Sequence, residues 1–457
     1  MDQQLLRSIL DTQSAALATT RTIHTVVTDT VHMLIDEDNE IQDLPRQGGS
    51  RPGRRPNLPR GFEEGYQRLY KDYLAPEPVY GDYLFRRRFR MHRPLFLKIV
   101  EDVTAHNQYF KQKRDALGRP GLYPVQKITS ALRMLAYGGA ADLNDEYIRI
   151  AESTSLQALN EFCSSIIELY SEEFLRYPTE EDIKHITAVN SKRGFPGMLG
   201  SVDCMHWHWK NCPAAWKGQY QGKEKASILW LYINSVHQLN NPPPIQVATI
   251  VLEAVASYDL WIWHSFFGLP GSHNDINILD RSPLFKKLLN GEAPEVRYTI
   301  NGNTYTQGYY LADGIYPDWS TLIKTISAPQ GLEKRHFAKM QEACRKDVER
   351  AFGVLQARFA IVARPARGWK HANMQKIMTT CVILHNMIIN DERGLNEEFI
   401  YDGNPVSVHP SSSTESAGFS TFINNSVQMR SLEAHFRLRD DLVKHLWALK
   451  GKSLSDE

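Results

Sequence analysis

The feature that most constrains this chain is a change of apolar spacing near residue 198. Before it, apolar residues recur every three or four positions: Ile128, Leu132 and Leu135, then Leu156, Leu159, Cys163, Ile166, Ile167 and Tyr170. That spacing lines one side of a helix. After it come β-rich runs at Met198–Val202, Trp230–Val236, Ile245–Leu252, Leu260–Phe267 and Tyr309–Ala312. Helical spacing returns at about 275–290, 336–358 and 373–391, and a last amphipathic stretch at about 427–449 carries Leu432, Phe436, Leu442, Leu446 and Trp447. Strands followed by helices, with some alternation, predict an α/β domain behind an N-terminal helical region. Within that region Gly138-Gly139 stops one helix, Asp142 can cap a short second, and Thr154-Ser-Leu-Gln157 has capping-box form. Short helices joined by tight turns suit a helix-turn-helix DNA reader and equally a plain helical bundle.

The ends of the chain read differently. Residues 1–43 contain no glycine, and Ile23, Val26, Val27, Val31, Leu34 and Ile35 fall at helical spacing before the acidic run Asp36-Glu37-Asp38. This is an amphipathic leader that could meet a partner helix, or a loosely ordered one. Arg46, Arg51, Arg54, Arg55 and Arg60 then sit among Gly and Pro with no acid between them. Such a linker suits nuclear import, phosphate contact or simple solvation. A second basic group, Arg86, Arg87, Arg88, Arg90, Arg93 and Lys98, is interleaved with Phe85, Phe89 and Phe96. It fits a surface tracking a phosphate backbone and, as well, the polar side of an ordinary helix. Residues 403–422 are rich in Ser and Thr and read as loop. The expected organisation is a leader and linker at 1–60, a helical, helix-turn-helix-like region at 61–190, the α/β domain at 191–395, and a loop with a terminal helix at 396–457.

Composition narrows the classes. A net charge of +1 over 457 residues makes any nucleic-acid surface local. With 42% hydrophobic residues the chain can bury a large core. Five cysteines, none in a CxxC pair, fit a reducing compartment. Cys204 and Cys212 lie near His206 and His208, but their spacing matches no standard zinc finger. Neither a signal peptide nor a membrane span is expected.

Four acids stand at the ends of predicted elements. Asp203 follows the apolar run ending at Val202, and Asp275 lies where Gly271-Ser-His-Asn-Asp turns into a helix. Asp313 follows Tyr309–Ala312, and Glu349 sits inside a helix beside Val348, Phe352 and Leu355. Taken singly, an Asp at a strand end is an ordinary turn or cap residue. Gathered together, such carboxylates suit phosphodiester cleavage, in which two hard cations about 3.5–4 Å apart stabilise the attacking and leaving oxygens. Mg²⁺ prefers oxygen ligands and keeps several waters, so three or four carboxylates suffice.

The strings around these acids are long. They include Gly200-Ser-Val-Asp-Cys-Met-His-Trp207, Trp209-Lys-Asn-Cys-Pro213, Leu252-Glu-Ala-Val-Ala-Ser257 and Leu260-Trp-Ile-Trp-His264. Further on are Phe267-Gly-Leu-Pro-Gly-Ser-His-Asn-Asp-Ile276, Leu311-Ala-Asp-Gly-Ile-Tyr-Pro317 and Val348-Glu-Arg-Ala-Phe-Gly-Val-Leu-Gln-Ala-Arg-Phe359. Over about residues 60–395 the chain resembles the plant branch of the PIF/Harbinger transposases, a DDE superfamily of cut-and-paste enzymes. The resemblance implies an RNase H-like core with three catalytic carboxylates: Asp203 on the first strand, Asp313 ending the fourth, and Glu349 on a helix. The 35 residues between Asp313 and Glu349 match the family's DD35E spacing. Asp275 matches a further acidic position and is a plausible fourth metal ligand, with His273 structural or substrate-positioning. Arg350 and Arg358 fit phosphate contact or structural ion pairs.

By the same resemblance the implied cofactor is Mg²⁺ or Mn²⁺, and the implied substrate is DNA, at transposon terminal repeats and a target site. A separate Myb-like partner, a homo-oligomer and a nuclear location complete what it implies. A domesticated, non-catalytic DNA- or chromatin-binding derivative is the alternative. The chain departs from the family at 225–248, where about two dozen residues, including Pro242-Pro-Pro244, interrupt a run that is normally nearly direct. The extra segment reads as a loop or as unspliced intron sequence, and displacing a core strand would disable the site.

Overall fold

The computed structural model describes residues 58–225, 246–368, 370–393, 406–409 and 419–453. By its internal contacts the chain divides at Pro59, and the helices and strands from Phe62 onward belong to the unit Arg60–Glu457. The expected leader helix, most of the arginine linker and the run Trp230–Val236 lie outside the described residues.

Among the described residues α-helices come first: α1 Phe62–Leu69, continued by a π-helical turn Tyr70–Leu74, then α2 Asp82–Phe89, α3 Arg93–His106, α4 Pro124–Tyr137, α5 Leu143–Ile148, α6 Glu152–Phe174 and α7 Glu180–Lys192. Their ends follow local rules. Pro124 sits in the first turn of α4, Gly138 closes it in the left-handed region, and Thr179 with Asp182 forms a capping box on α7. The central helix α6 packs on α4 and on the later helix α13, His371–Arg393. It carries five glutamates and no Lys or Arg. That charge has the wrong sign for a helix laid against phosphate, so α6 serves the core.

The main sheet is built from β1 Met198–His208, β2 Gln221–Lys225, β3 Gln246–Ala256, β4 Ile262–Pro270, β7 Tyr309–Ala312 and β8 Leu322–Lys324. Strand β3 lies between β1 and β4 and is antiparallel to both, while β1, β7 and β8 are parallel neighbours. A short helix α8, Ala214–Tyr220, leads into β2. A second, small sheet joins β5 Glu295–Ile300, β6 Asn303–Tyr305 and β9 Ser407–His409. The long helix α11, Leu332–Arg358, lies along β1, followed by α12, Ala360–Ala363, and α13. One apolar core runs from Leu69 and Phe85 through α4 and α6 to Trp207, Leu252, Leu355 and Met378.

The two edges of the extra segment lie in the sheet, and the residues between them fall outside the described residues. Lys225 and Gln246 pair with each other across β2 and β3, and β1, β3 and β4 keep their mutual ladders. The strands on either side of the extra segment are therefore paired with one another.

Several elements differ from expectation. Strand β1 continues to His208, so Asp203 lies in mid-strand, not at its end. The helix expected at about 275–290 is α9 Asp275–Leu279, a 3₁₀ turn at Pro283–Phe285, and α10 Lys286–Leu289. Ser282 caps the turn, accepting from the Leu284 amide, and Pro283 cannot donate to a continuing helix. The β5–β6 hairpin was not anticipated; its turn is Asn301-Gly302, both at positive φ. Helix α14, Phe419–Met429, begins inside the stretch read as loop, and α15 spans Leu432–Ser453.

A charge-coupled acidic site between the sheet and the long helix

Strand alternation gives β1 two working sides. Ser201, Asp203, Met205 and Trp207 face α11 and the chain that follows it. Ser201 Oγ donates to the Cys344 carbonyl at 3.1 Å, Gln356 Nε2 reaches Met205 Sδ at 3.2 Å, and Trp207 Nε1 donates to the Arg364 carbonyl at 2.8 Å. Together these contacts fix the position of the helix along the strand. Gly200 sits at φ 151°, where a Cβ would meet the Ala256 carbonyl oxygen at 2.6 Å. Only glycine lets β1 and β3 approach this closely three residues before Asp203 is presented.

Helix α11 brings its own groups at four-residue intervals. Gln341 is fully buried and donates to the carbonyls of Ala312 and Ile323, anchoring the helix across the ends of β7 and β8. One turn on, Arg345 reaches Asp203 Oδ2 at 3.3 Å, and it also contacts Glu349 Oε1 at 2.9 Å. Asp313 directly follows β7, whose parallel pairing sets Leu311 beside Ser201. Asp203 and Asp313 thus each lie two residues beyond a paired position. Asp313 Oδ1 accepts the Gly314 amide at 2.7 Å, and its side chain is exposed. Asp275 is the first residue of α9, whose cap Asn274 accepts from the Asn277 amide at 2.9 Å.

Electrostatics tie these positions together. Burial pushes the Asp203 carboxyl up to about 6. The Cys204 amide and Arg345 oppose that rise, and the charges of Asp275 and Glu349 add to it. Burial also raises Asp275; nearby His206 and the Cys204 thiol oppose it, while Asp313 and Glu253 push it further. Asp203, Asp275, Asp313 and Glu349 therefore form one interacting set, as carboxylates do when gathered at one place. Among the described residues no three His, Cys, Asp or Glu stand in a metal-ligating group. The cation that the structure does place between Asp203 and Glu349 is the guanidinium of Arg345.

Two participants were not read from the sequence. Arg345 had a visible signal, four residues before Glu349 on one helix face. Glu253 had none, because its importance comes from pairing across the sheet. It lies opposite Cys204, is fully buried, contacts His264 Nε2 at 3.1 Å through Oε2, and has no hydrogen-bond partner for Oε1 among the described residues. The other candidates have structural partners. Arg350 pairs with buried Asp347, which also holds Arg193, and Arg358 pairs with Glu392. Cys204 Sγ meets the Tyr316 hydroxyl at 3.5 Å, and His206 meets Thr249. His273 is the exception: its Nδ1 is buried and has no hydrogen-bond partner among the described residues. All five cysteines are free thiols.

Comparison with known proteins falls on these elements. The family described as Plant transposon protein matches residues 172–240 and 244–396, which carry all four acids and the sheet that presents them. The chain is a plant Harbinger-type transposase relative. A second family, described only as Domain of unknown function (DUF8418), matches residues 65–104, from α1 to α3. "Protein ALP1-like" of Arabidopsis thaliana is 25% identical over 319 residues, 67% of this chain and 71% of that protein. No solved structure matches the chain. Relatedness to the Harbinger-type transposases covers β1 through α13. Among the described residues, no helix is long and apolar enough to cross a membrane.

Proposed function

We propose that the chain is a divalent-metal-dependent DNA endonuclease of the transposase type, acting at transposon ends and a target site. Its catalytic carboxylates are Asp203, Asp313 and Glu349, with Asp275 as a fourth ligand. The observation that carries this reading is the charge coupling of the four acids, which come from β1, α9, the end of β7 and α11. An RNase H-like core is supported by the strand order. Setting aside the edge strand β2 and the small second sheet, β4, β3, β1, β7 and β8 lie side by side in that order, and only β3 opposes the rest. Asp203 is then on the first core strand, Asp313 at the end of the fourth, and Glu349 on the helix after the fifth.

The residues suit a hard cation by chemistry. The donors are carboxylate oxygens, as Mg²⁺ or Mn²⁺ requires. Burial raises the Asp203 carboxyl first, and the charges of Asp275 and Glu349 add to that rise against Arg345, so a bound cation would relieve both. Asp203 and Glu349, now joined by Arg345, would hold the ion, with Asp313 and Asp275 completing the set. Bound there, the metal would activate water and stabilise charge on the reacting phosphate. The protein's own contribution is orientation: the Cys204 amide holds Asp203 Oδ1 at 2.8 Å, and Gln341 with Ser201 fixes the helix bearing Glu349. DNA as substrate, nuclear residence, a Myb-like partner and self-association belong to the same proposal.

A second reading, a DNA-binding derivative that does not cut, draws on one observation: Arg345 already bridges Asp203 and Glu349. Nicking of a labelled duplex by the full chain with Mn²⁺ separates the two. The nuclease reading expects nicking that falls at least about a hundredfold in Glu349→Gln, the scale lost when transition-state charge stabilisation is removed. A folded chain that leaves DNA intact, with a Myb-like partner supplied, supports the second reading.

A further inference from the structure

Beyond the acids, on the same side of β1, the strand runs into a surface of opposite character. Lys210, Lys217, Arg364, Arg367 and Lys370 are all exposed, and none makes an ion pair among the described residues. Neither segment that carries them, 209–220 or 363–372, contains an acid. In a chain of net charge +1 this is a strong local excess. The two segments are tied together. Lys210 donates its amide to the Ala366 carbonyl at 2.9 Å, Ala366 donates to the His208 carbonyl at 2.8 Å, and Trp209 Nε1 donates to the Gly368 carbonyl at 2.8 Å. Asn211 adds a bond to the Arg367 carbonyl at 2.9 Å. The cations therefore stand on a braced surface.

Aromatic rings stack at its centre. Trp209 is 1% exposed and lies edge-on to Tyr220, with centroids 5.0 Å apart. Tyr220, itself buried, lies nearly parallel to Trp216, at 6.2 Å and 21°. Trp216 is the outermost ring and is 45% exposed. A stack with an open outer ring, on segments whose exposed cations make no ion pair among the described residues (Arg364 donates only to the Gly138 carbonyl, at 3.4 Å), has what a nucleic-acid strand needs: a π surface for a base and positive charge for the phosphates on either side.

We propose that this surface is a second DNA contact, at which Trp216 stacks on an unpaired base while Lys210, Lys217, Arg364, Arg367 and Lys370 hold the flanking phosphates. The proposal rests on DNA being the substrate of the acidic site and adds where the strand goes next. Trp209 is six residues past Asp203 along β1, about 20 Å at ~3.3 Å per residue. The Trp216 ring lies a further 6.1 Å from Trp209, centroid to centroid, so the stacked base is several nucleotides from the cut.

The test is DNA binding by the full chain in EDTA, followed by fluorescence anisotropy over a salt series with a labelled single strand and a labelled duplex. Trp216→Ala is expected to weaken single-strand binding about 5- to 150-fold and to change duplex binding less than about twofold, with Trp216→Phe restoring most of the loss. Lys210→Gln combined with Arg367→Gln and Lys370→Gln is expected to lower the single-strand salt slope by about 2. Variants with unchanged circular dichroism that bind both DNAs like the unmodified chain overturn the proposal. An unmodified chain that binds neither DNA overturns both this proposal and the DNA reading of the acidic site. Binding that depends on Trp216 in a chain that does not nick leaves this contact standing and removes only the nuclease.

Discussion

Two parts of this protein mix basic and aromatic residues in similar proportion, and they end in opposite states. In α2 and α3 the phenylalanines face inward: Phe85 and Phe89 stack at 4.3 Å and Phe96 closes on both, all three buried. Most of the arginines beside them are engaged within the chain. Arg86 meets Glu392, Arg88 lies 4.0 Å over the Tyr80 ring and bonds the Tyr73 hydroxyl, and Arg93 meets Asp82. At Trp216 the outer ring is open, and the cations of its two segments make no ion pair among the described residues. The lesson is that composition cannot distinguish a core from a contact surface. What distinguishes them is whether the chain itself supplies the partners.

The comparison is broken most directly through stability. Phe89→Ala removes a buried ring and is expected to cost about 3–5 kcal/mol. Trp216→Ala, at an exposed position, is expected to cost about 1 kcal/mol or less. Denaturant unfolding of both variants checks this. Equal losses would mean that Trp216 is a core residue and that the contrast is false.

The contrast extends to Asp203, a partly buried carboxyl, its side chain 20% exposed, that the chain satisfies only in part. Its folded-state carboxyl, at about 6, lies above the unfolded value. Between pH ~4 and ~6 the folded state keeps a proton that the unfolded state has lost, so stability falls as pH rises across that window. Below pH ~4 both states are protonated and the penalty is absent. Asp203→Asn is therefore expected to be more stable than the unmodified chain by up to about 3 kcal/mol at pH 7 in EDTA, and equal to it near pH 4. Thermal unfolding at the two pH values measures the difference. A variant destabilised at pH 7 would show that Arg345 and the Cys204 amide already satisfy Asp203 fully.

Much of the site could be read from the sequence because each acid adjoins a strongly patterned element. The apolar run before Asp203, the four buried residues Tyr309–Ala312 before Asp313, and the helical spacing around Glu349 all survive in the structure. Where the reading failed, the deciding force was local chemistry or distant pairing. Ser282 and Pro283 break the helix after Asp275. Asn301-Gly302 was a visible hairpin signal that went unread, although it joins β5 to β6. Helix α14 was hidden because Ser, Thr and Asn resemble loop until Asn425 and Met429 find partners at α10 and the loop before β8. The braced surface at Trp216 depends on the pairing of 207–211 with 364–368, segments more than 150 residues apart, which no short-range pattern reveals.

The central claim is that acids from four separate elements form one cation-binding site. Mn²⁺ binding to the full chain, followed by electron paramagnetic resonance, tests it without any assumption about DNA sequence or partner. The account predicts Mn²⁺ bound by the unmodified chain, with affinity at least about tenfold lower in Asp203→Asn and in Glu349→Gln. A folded chain that binds no Mn²⁺, or binds it equally well in both variants, would contradict the claim.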